Sequence, residues 1–190
     1  MNNPTQNDLT LYAENVRDKA ARKEDYLFHN EGNAHAKIIL ENLFINADNH
    51  IRMAANTLNN EVVNSREYRD AMSVFLDKDN TRLDIIVTRI PGKGEVNMDD
   101  SLYGMLLNHR AYADGRITVK SGDGKSFRDK DGERVNFCTG DDMMFRLEDN
   151  IEARTAVANF NDPDTTHALI IMFDRVFGNI EKKFNLNDLA

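Results

Sequence analysis

Leu83-Asp84-Ile85-Ile86-Val87-Thr88 is the most strand-like run of the sequence: short, dense in β-branched residues, and followed by a turn signal at Pro91-Gly92-Lys93-Gly94. Ahead of it, Ser65 opens a segment whose Tyr68, Met72, Phe75 and Leu76 share one helical face, and Lys78-Asp79-Asn80 turns the chain. Earlier still, Ile51, Met53, Ala55 and Leu58 mark an alternating segment read as a strand. Strand, helix and strand in that order make a βαβ unit, with parallel strands and a right-handed crossover. The class is therefore α/β.

Upstream of that unit, Ile38, Ile39, Leu43, Phe44 and Ala47 predict a helix over residues 34–47. Leu9, Tyr12, Ala13, Val16, Ala20 and Leu27 predict an amphipathic helix over 9–28, broken at Glu31-Gly32-Asn33. Downstream, Leu102, Met105 and Leu106 give a helix over 100–109 its inward face, and Ile117-Thr118-Val119 is a short strand. Residues 121–133, rich in Gly, Asp and Lys, read as a long turn. Segments 135–138 and 144–147 read as hairpin strands joined through Gly140-Asp141-Asp142, and 155–160 as a further strand. Asp162-Pro163 opens a last helix, an acidic cap followed by proline, with Ala168, Ile171, Met172, Val176 and Phe177 as its buried face. The expected architecture is a mixed β-sheet sandwiched between helices. It divides into an N-terminal helical extension (1–33), an α/β domain (34–184) and a loose tail (185–190).

The net charge is −8 over 190 residues, which disfavours direct contact with nucleic acid, since phosphate neutralisation needs a basic surface. The densest basic run, Arg17, Lys19, Arg22 and Lys23, is interleaved with Glu14, Asp18, Glu24 and Asp25 and reads as a solvated helix face. No apolar run approaches the roughly 20 residues of a membrane span, and residues 1–10 lack the pattern of a secretory leader. One cysteine, Cys138, excludes an internal disulfide and fits a reducing compartment, so the expected location is the cytoplasm.

Most catalytic and metal signatures fail on a named residue. Gly124-Lys125-Ser126 resembles the end of a phosphate loop, but Val119 stands where that loop needs its first glycine. Asp129-Lys130-Asp131-Gly132 resembles a calcium loop, but Phe127 and Cys138 fall at its first and last ligand positions. One cysteine and five scattered histidines offer no zinc spacing, and neither a nucleophile elbow nor a dinucleotide fingerprint is present. Cys138, between apolar neighbours, reads as a buried structural thiol, and no cofactor or metal is expected. His35-Ala36-Lys37 has the His-x-Lys form of the phospholipase D signature. Asn42 replaces the aspartate that should follow five residues after the lysine, and the segment is predicted helical where that family uses a strand.

The order of elements from residue 34 to 180 nevertheless resembles one half of a phospholipase D-like protein. Residues 135–148 resemble its motif strand, aspartate turn and following strand, and Ala156-Val157-Ala158-Asn159 echoes its Gly-Ser-x-Asn stretch. Asn161-Asp162, followed by a helix containing Phe173-Asp174, resembles the closing pattern of degenerate members. If Asp142 matches the family aspartate, the histidine and lysine positions hold Val135 and Phe137; if Asp141 does, they hold Arg134 and Asn136. Neither register has the nucleophile or the phosphate-neutralising cation. The resemblance therefore implies a non-catalytic binding or regulatory module, with a vestigial pocket near Asp142, Arg146, Glu148, Arg154 and Asn159. Arg146 and Glu148 can also be read as an exposed strand ion pair. The family pairs its halves about a two-fold axis, which implies a homodimer or a partner protein. Two alternatives stay open. One is a phosphodiesterase or nuclease with a relocated site built on His35 and Lys37; the other is a subunit of a nucleic-acid-acting bacterial defence assembly.

Overall fold

The computed structural model describes residues 6–123, 127–128, 131–151 and 153–190, with the side chain of Asp149 left aside. Gly124-Lys125-Ser126 and Asp129-Lys130, the segments with phosphate-loop and calcium-loop likeness, lie outside the described residues. The elements run α1 (Gln6–Ala21), β1 (Phe28–Glu31), α2 (Gly32–Asn46), β2 (His50–Ala55), α3 (Arg66–Asp77) and β3 (Arg82–Val87). After a single 3-10 turn follow α4 (Leu102–Asn108), α5 (Arg110–Ala113), β4 (Ile117–Ser121), β5 (Asn136–Gly140), β6 (Met144–Asn150), β7 (Thr155–Asn159) and α6 (Pro163–Asn179).

The strands form a seven-stranded mixed sheet in the order β1-β7-β6-β5-β2-β3-β4. The βαβ unit read from residues 51–88 is its centre: β2 and β3 pair in parallel from His50↔Arg82 to Ala55↔Val87, and β4 extends the parallel set. β5 pairs antiparallel with β2, and β6 and β7 continue antiparallel beyond it. Because β5 runs against β2, its first residue lies at the carboxyl end of β2. That reversal brings Asn136 beside Ala55.

Alternation along the strands sorts their side chains to two faces. Ile51, Met53, Leu83, Ile85 and Cys138 join the core under α1, α2 and α3, while Ala54, Ile86, Phe137 and Phe145 join a second core under α6. The predicted face of α6 is rotated. Thr166, Leu169, Ile170 and Phe173 are buried, whereas Ile171 is 62% exposed. Phe173 settles the rotation by packing against Phe127, Phe137 and Phe177.

Both ends of the chain depart from expectation. The helix predicted over 9–28 stops at Ala21, and Phe28, counted as its last residue, instead opens edge strand β1 against β7. Phe28 and Asn30 are buried and His29 and Glu31 exposed, so a period of two overrides the helical pattern there. Residues 1–33 thus contribute a strand to the sheet, and α1 buries Val16 and Ala20 in the core. Gly32 at φ +77° makes the turn from β1 into α2. The tail expected to be loose forms a 3-10 turn, Leu186–Leu189, with both leucines buried and the Leu186 amide donating to the Tyr112 hydroxyl at 3.0 Å.

Candidate functional site

Beyond the carboxyl end of β2 the chain loops through residues 56–63 before entering α3, and that loop roofs a cavity of about 560 Å³. Its apolar lining includes Leu40, Met53, Leu58 and Cys138; its walls carry Asn33, Asn56, Asn60, Asn136, Arg146, Glu148 and Arg154. Mixed α/β sheets place ligand crevices at this end of their parallel strands, and the volume lies within the roughly 300–1,000 Å³ usual for small-molecule sites.

Each wall residue is held by a neighbour. Asn136 faces Glu148 across the β5–β6 ladder, and its Nδ2 donates to Glu148 Oε2 at 2.7 Å. Arg146, opposite Cys138, lies 3.5 Å from Glu148 Oε1 through Nη2, and the same nitrogen donates to Asn30 Oδ1 at 3.5 Å. At the mouth, Arg154 Nη1 donates to Asn33 Oδ1 at 2.7 Å and lies 3.9 Å from Glu61. Asn56 Oδ1 accepts from Thr88 Oγ1 at 2.8 Å and Arg134 Nη1 at 3.1 Å; Asn60 Oδ1 accepts from the amides of Val62 and Val63.

The buried surroundings of Arg146 are under-satisfied. Arg146 is only 6% exposed, yet among the described residues its Nε has no hydrogen-bond partner, and neither do Asn30 Nδ2 and the Tyr12 hydroxyl. Buried polar atoms without partners are scarce in folded proteins and call for an explanation. Burial pushes the Tyr12 phenol and the Cys138 thiol up, with the Arg146 guanidinium opposing in both cases. Burial likewise raises Tyr68, whose hydroxyl sits 4.0 Å from Met53 Sδ. These groups are neutral near pH 7, and Cys138 offers no thiolate.

The structure gathers Arg146, Glu148 and Arg154 around the cavity but separates the other two residues expected there. Asp142 is exposed in the β5–β6 turn, at the end of β5 remote from Asn136. Asn159 is buried away from the cavity, donating to Asp25 Oδ1 at 2.8 Å and accepting from the Asn161 amide at 2.9 Å; it pins the exit of β7. The exposed-pair reading of Arg146 and Glu148 gives way, since both side chains are largely shielded. Val135 and Phe137, the positions implied by a register on Asp142, belong to the α6-side core, and only Phe137 also borders the cavity.

His35 and Lys37 do not converge. Two residues apart on α2 they point to different sides. The His35 ring packs on Tyr12 at 4.3 Å with Nδ1 3.0 Å from the Glu31 carbonyl, and Lys37 lies 3.4 Å from Glu67. The asparagines of the cavity wall were missed as a group. They come from the start of α2, the 56–63 loop and β5, and no spacing in the chain links them. Among the described residues no cluster of His, Cys, Asp or Glu could hold a metal ion, and no helix is long and apolar enough to cross a membrane.

The backbone has clear structural counterparts. Nuc from Salmonella typhimurium, a phospholipase D family member, superposes with a TM-score of 0.59 at 11% identity, over 85% of this chain and 99% of its own. The chain has the phospholipase D-like fold. NucT from Helicobacter pylori matches at a TM-score of 0.54 and 13% identity over 83% of this chain and 97% of its own. TrmBL2, an archaeal chromatin protein whose structure shows a novel mode of DNA binding, matches at 0.55 and 15% over 91% of this chain and 62% of its own. No family model and no curated protein matches the sequence. At 11–15% identity the likeness is one of backbone.

Proposed function

We propose that this phospholipase D-like chain binds rather than catalyses, holding a small ligand in the cavity beneath the 56–63 loop and acting through pairing with a second copy or a partner protein. The observation that carries the reading is Asn136. Asp141, rather than Asp142, commits its carboxylate to backbone amides and so marks the register of the motif strand. Counted back from it, the histidine and lysine positions of the phospholipase D signature hold Arg134 and Asn136. An arginine that stays protonated is no nucleophile, and a carboxamide carries no charge to offset a phosphate. Glu148 beside Asn136 adds a negative charge where the family chemistry needs a positive one. A cavity whose wall lacks those reactive groups suits a fold reused for recognition.

The purified protein should release no product from bis(p-nitrophenyl) phosphate or from single-stranded DNA. Steady hydrolysis abolished by His35→Ala would establish the competing phosphodiesterase reading instead. The net charge of −8 supports the absence of direct DNA contact, which a binding titration at low salt checks. Native mass spectrometry should show a dimer; a monomer limits the pairing to a partner protein.

A further inference from the structure

We infer that the ligand of this cavity is a small neutral polyol, either a free sugar or the ribose of a nucleoside; the inference rests on the binding reading above. The wall carboxamides each commit one end to the protein and leave the other. Asn33, Asn56 and Asn60 use Oδ1 as an internal acceptor, for Arg154, for Thr88 and Arg134, and for the Val62 and Val63 amides. Their Nδ2 groups have no protein partner among the described residues. Asn136 is oriented the opposite way, with Nδ2 on Glu148 and Oδ1 open. Arg146 brings a guanidinium to the same wall.

Donors and acceptors are therefore both present around one cavity. That pattern suits hydroxyl groups, each of which donates once and accepts twice. A simple anion only accepts and would meet Glu148 and Asn136 Oδ1. A simple cation only donates and would meet Arg146 and Arg154. The charges lining the site balance, Arg146 and Arg154 against Glu148 and Glu61. Leu40, Met53 and Leu58 supply apolar surface for the C–H face of a ring.

Isothermal titration and ligand-observed NMR with glucose, galactose, mannose, sucrose, adenosine and uridine test this directly, with inorganic phosphate and glutamate as comparators. Saturable binding of a polyol is expected, weakened roughly tenfold by Asn136→Ala, the loss of about one ligand hydrogen bond, and unchanged by Asp142→Ala. Thermal melts confirm that each variant is folded, and Arg146→Lys serves as a second probe of the same wall. Sugars binding without nucleosides, or the reverse, identifies the source of the polyol. Phosphate or glutamate binding that Asn136→Ala weakens, with no polyol bound, overturns the ligand class and keeps the cavity reading. Polyol binding indifferent to Asn136→Ala and Arg146→Lys overturns the site. No saturable binding of any probe overturns both.

Discussion

Asp141 and His50 hold each other across 91 positions of sequence: Asp141 Oδ1 accepts from the His50 amide at 3.0 Å, and the Asp141 amide donates to the His50 carbonyl at 2.8 Å. The same carboxylate accepts from the amides of Asp48 and Asn49, in the turn between α2 and β2. Asp141 sits at φ +51°, a conformation an aspartate tolerates better than most side chains. Two turns distant in sequence are thereby tied together, which sets β5 beside β2 and places Asn136 at the cavity.

Asp141→Ala should lower the unfolding free energy by about 2–3 kcal/mol, because several charge-assisted hydrogen bonds go at once. Asp142→Ala, at an exposed turn position, should stay within about 0.5 kcal/mol of the parent. Urea denaturation of both variants decides between the registers. Equal losses would remove Asp141 as the anchoring aspartate.

The sequence disclosed the frame better than the site. Residues 83–88 announced a buried strand because both of its faces are covered, and the βαβ unit followed from local pattern alone. β1 escaped notice because Leu27 and Phe28 also fit the helical spacing of α1, and only pairing with β7 makes Phe28 a strand residue. Arg146, Glu148 and Arg154 were found through likeness to a motif strand. The asparagines were not, since Asn33, Asn56, Asn60 and Asn136 become neighbours only once β5 reverses against β2. Asp142 and Asn159 were misplaced for a related reason. Asp142 is in the β5–β6 turn and Asn159 pairs with Phe145 beside it, whereas Asn136 and Glu148 pair at the other end of the same hairpin, a separation that proximity in sequence concealed.

Acid stability should turn on Asp84. Burial raises its carboxyl, but hydrogen bonds from His50 at 3.1 Å and an ion pair with Arg82 at 2.7 Å outweigh it and hold the pKa below the ordinary 3.8. A folded value below the unfolded one gives stability that is complete above the unfolded pKa and lost as pH falls through the folded one. Unfolding free energy measured downward from about pH 4 should therefore fall more steeply in the parent than in Asp84→Asn. Parallel curves would show that Asp84 is not the linked group.

Cys138 lines the cavity, yet its thiol is buried and its pKa pushed up by that burial against the pull of Arg146. Iodoacetamide at pH 8 should leave it unmodified in the native protein and modify it readily in guanidinium, since the thiolate is the reactive species. Mass spectrometry of timed samples reads the result. Rapid native labelling would mean an open cavity floor and a thiol far more acidic than its surroundings imply.

Arg146 and Glu148 form the ion pair on which the cavity wall depends, 3.5 Å apart and shielded from solvent. At that separation the attraction offsets desolvation poorly, and the Nε, without a partner among the described residues, leaves Arg146 incompletely satisfied. Removing either charge alone strands the other, so Arg146→Met and Glu148→Gln should each cost about 1–3 kcal/mol. The double variant should cost less than the sum by about 1 kcal/mol, because the second change relieves what the first strands. Melting in the presence of a bound ligand then separates the two roles of the pair. If the arginine is retained for recognition, the double variant recovers stability and loses the ligand-induced rise in Tm. A double variant that keeps that rise would show that Arg146 and Glu148 shape the wall without touching what it holds.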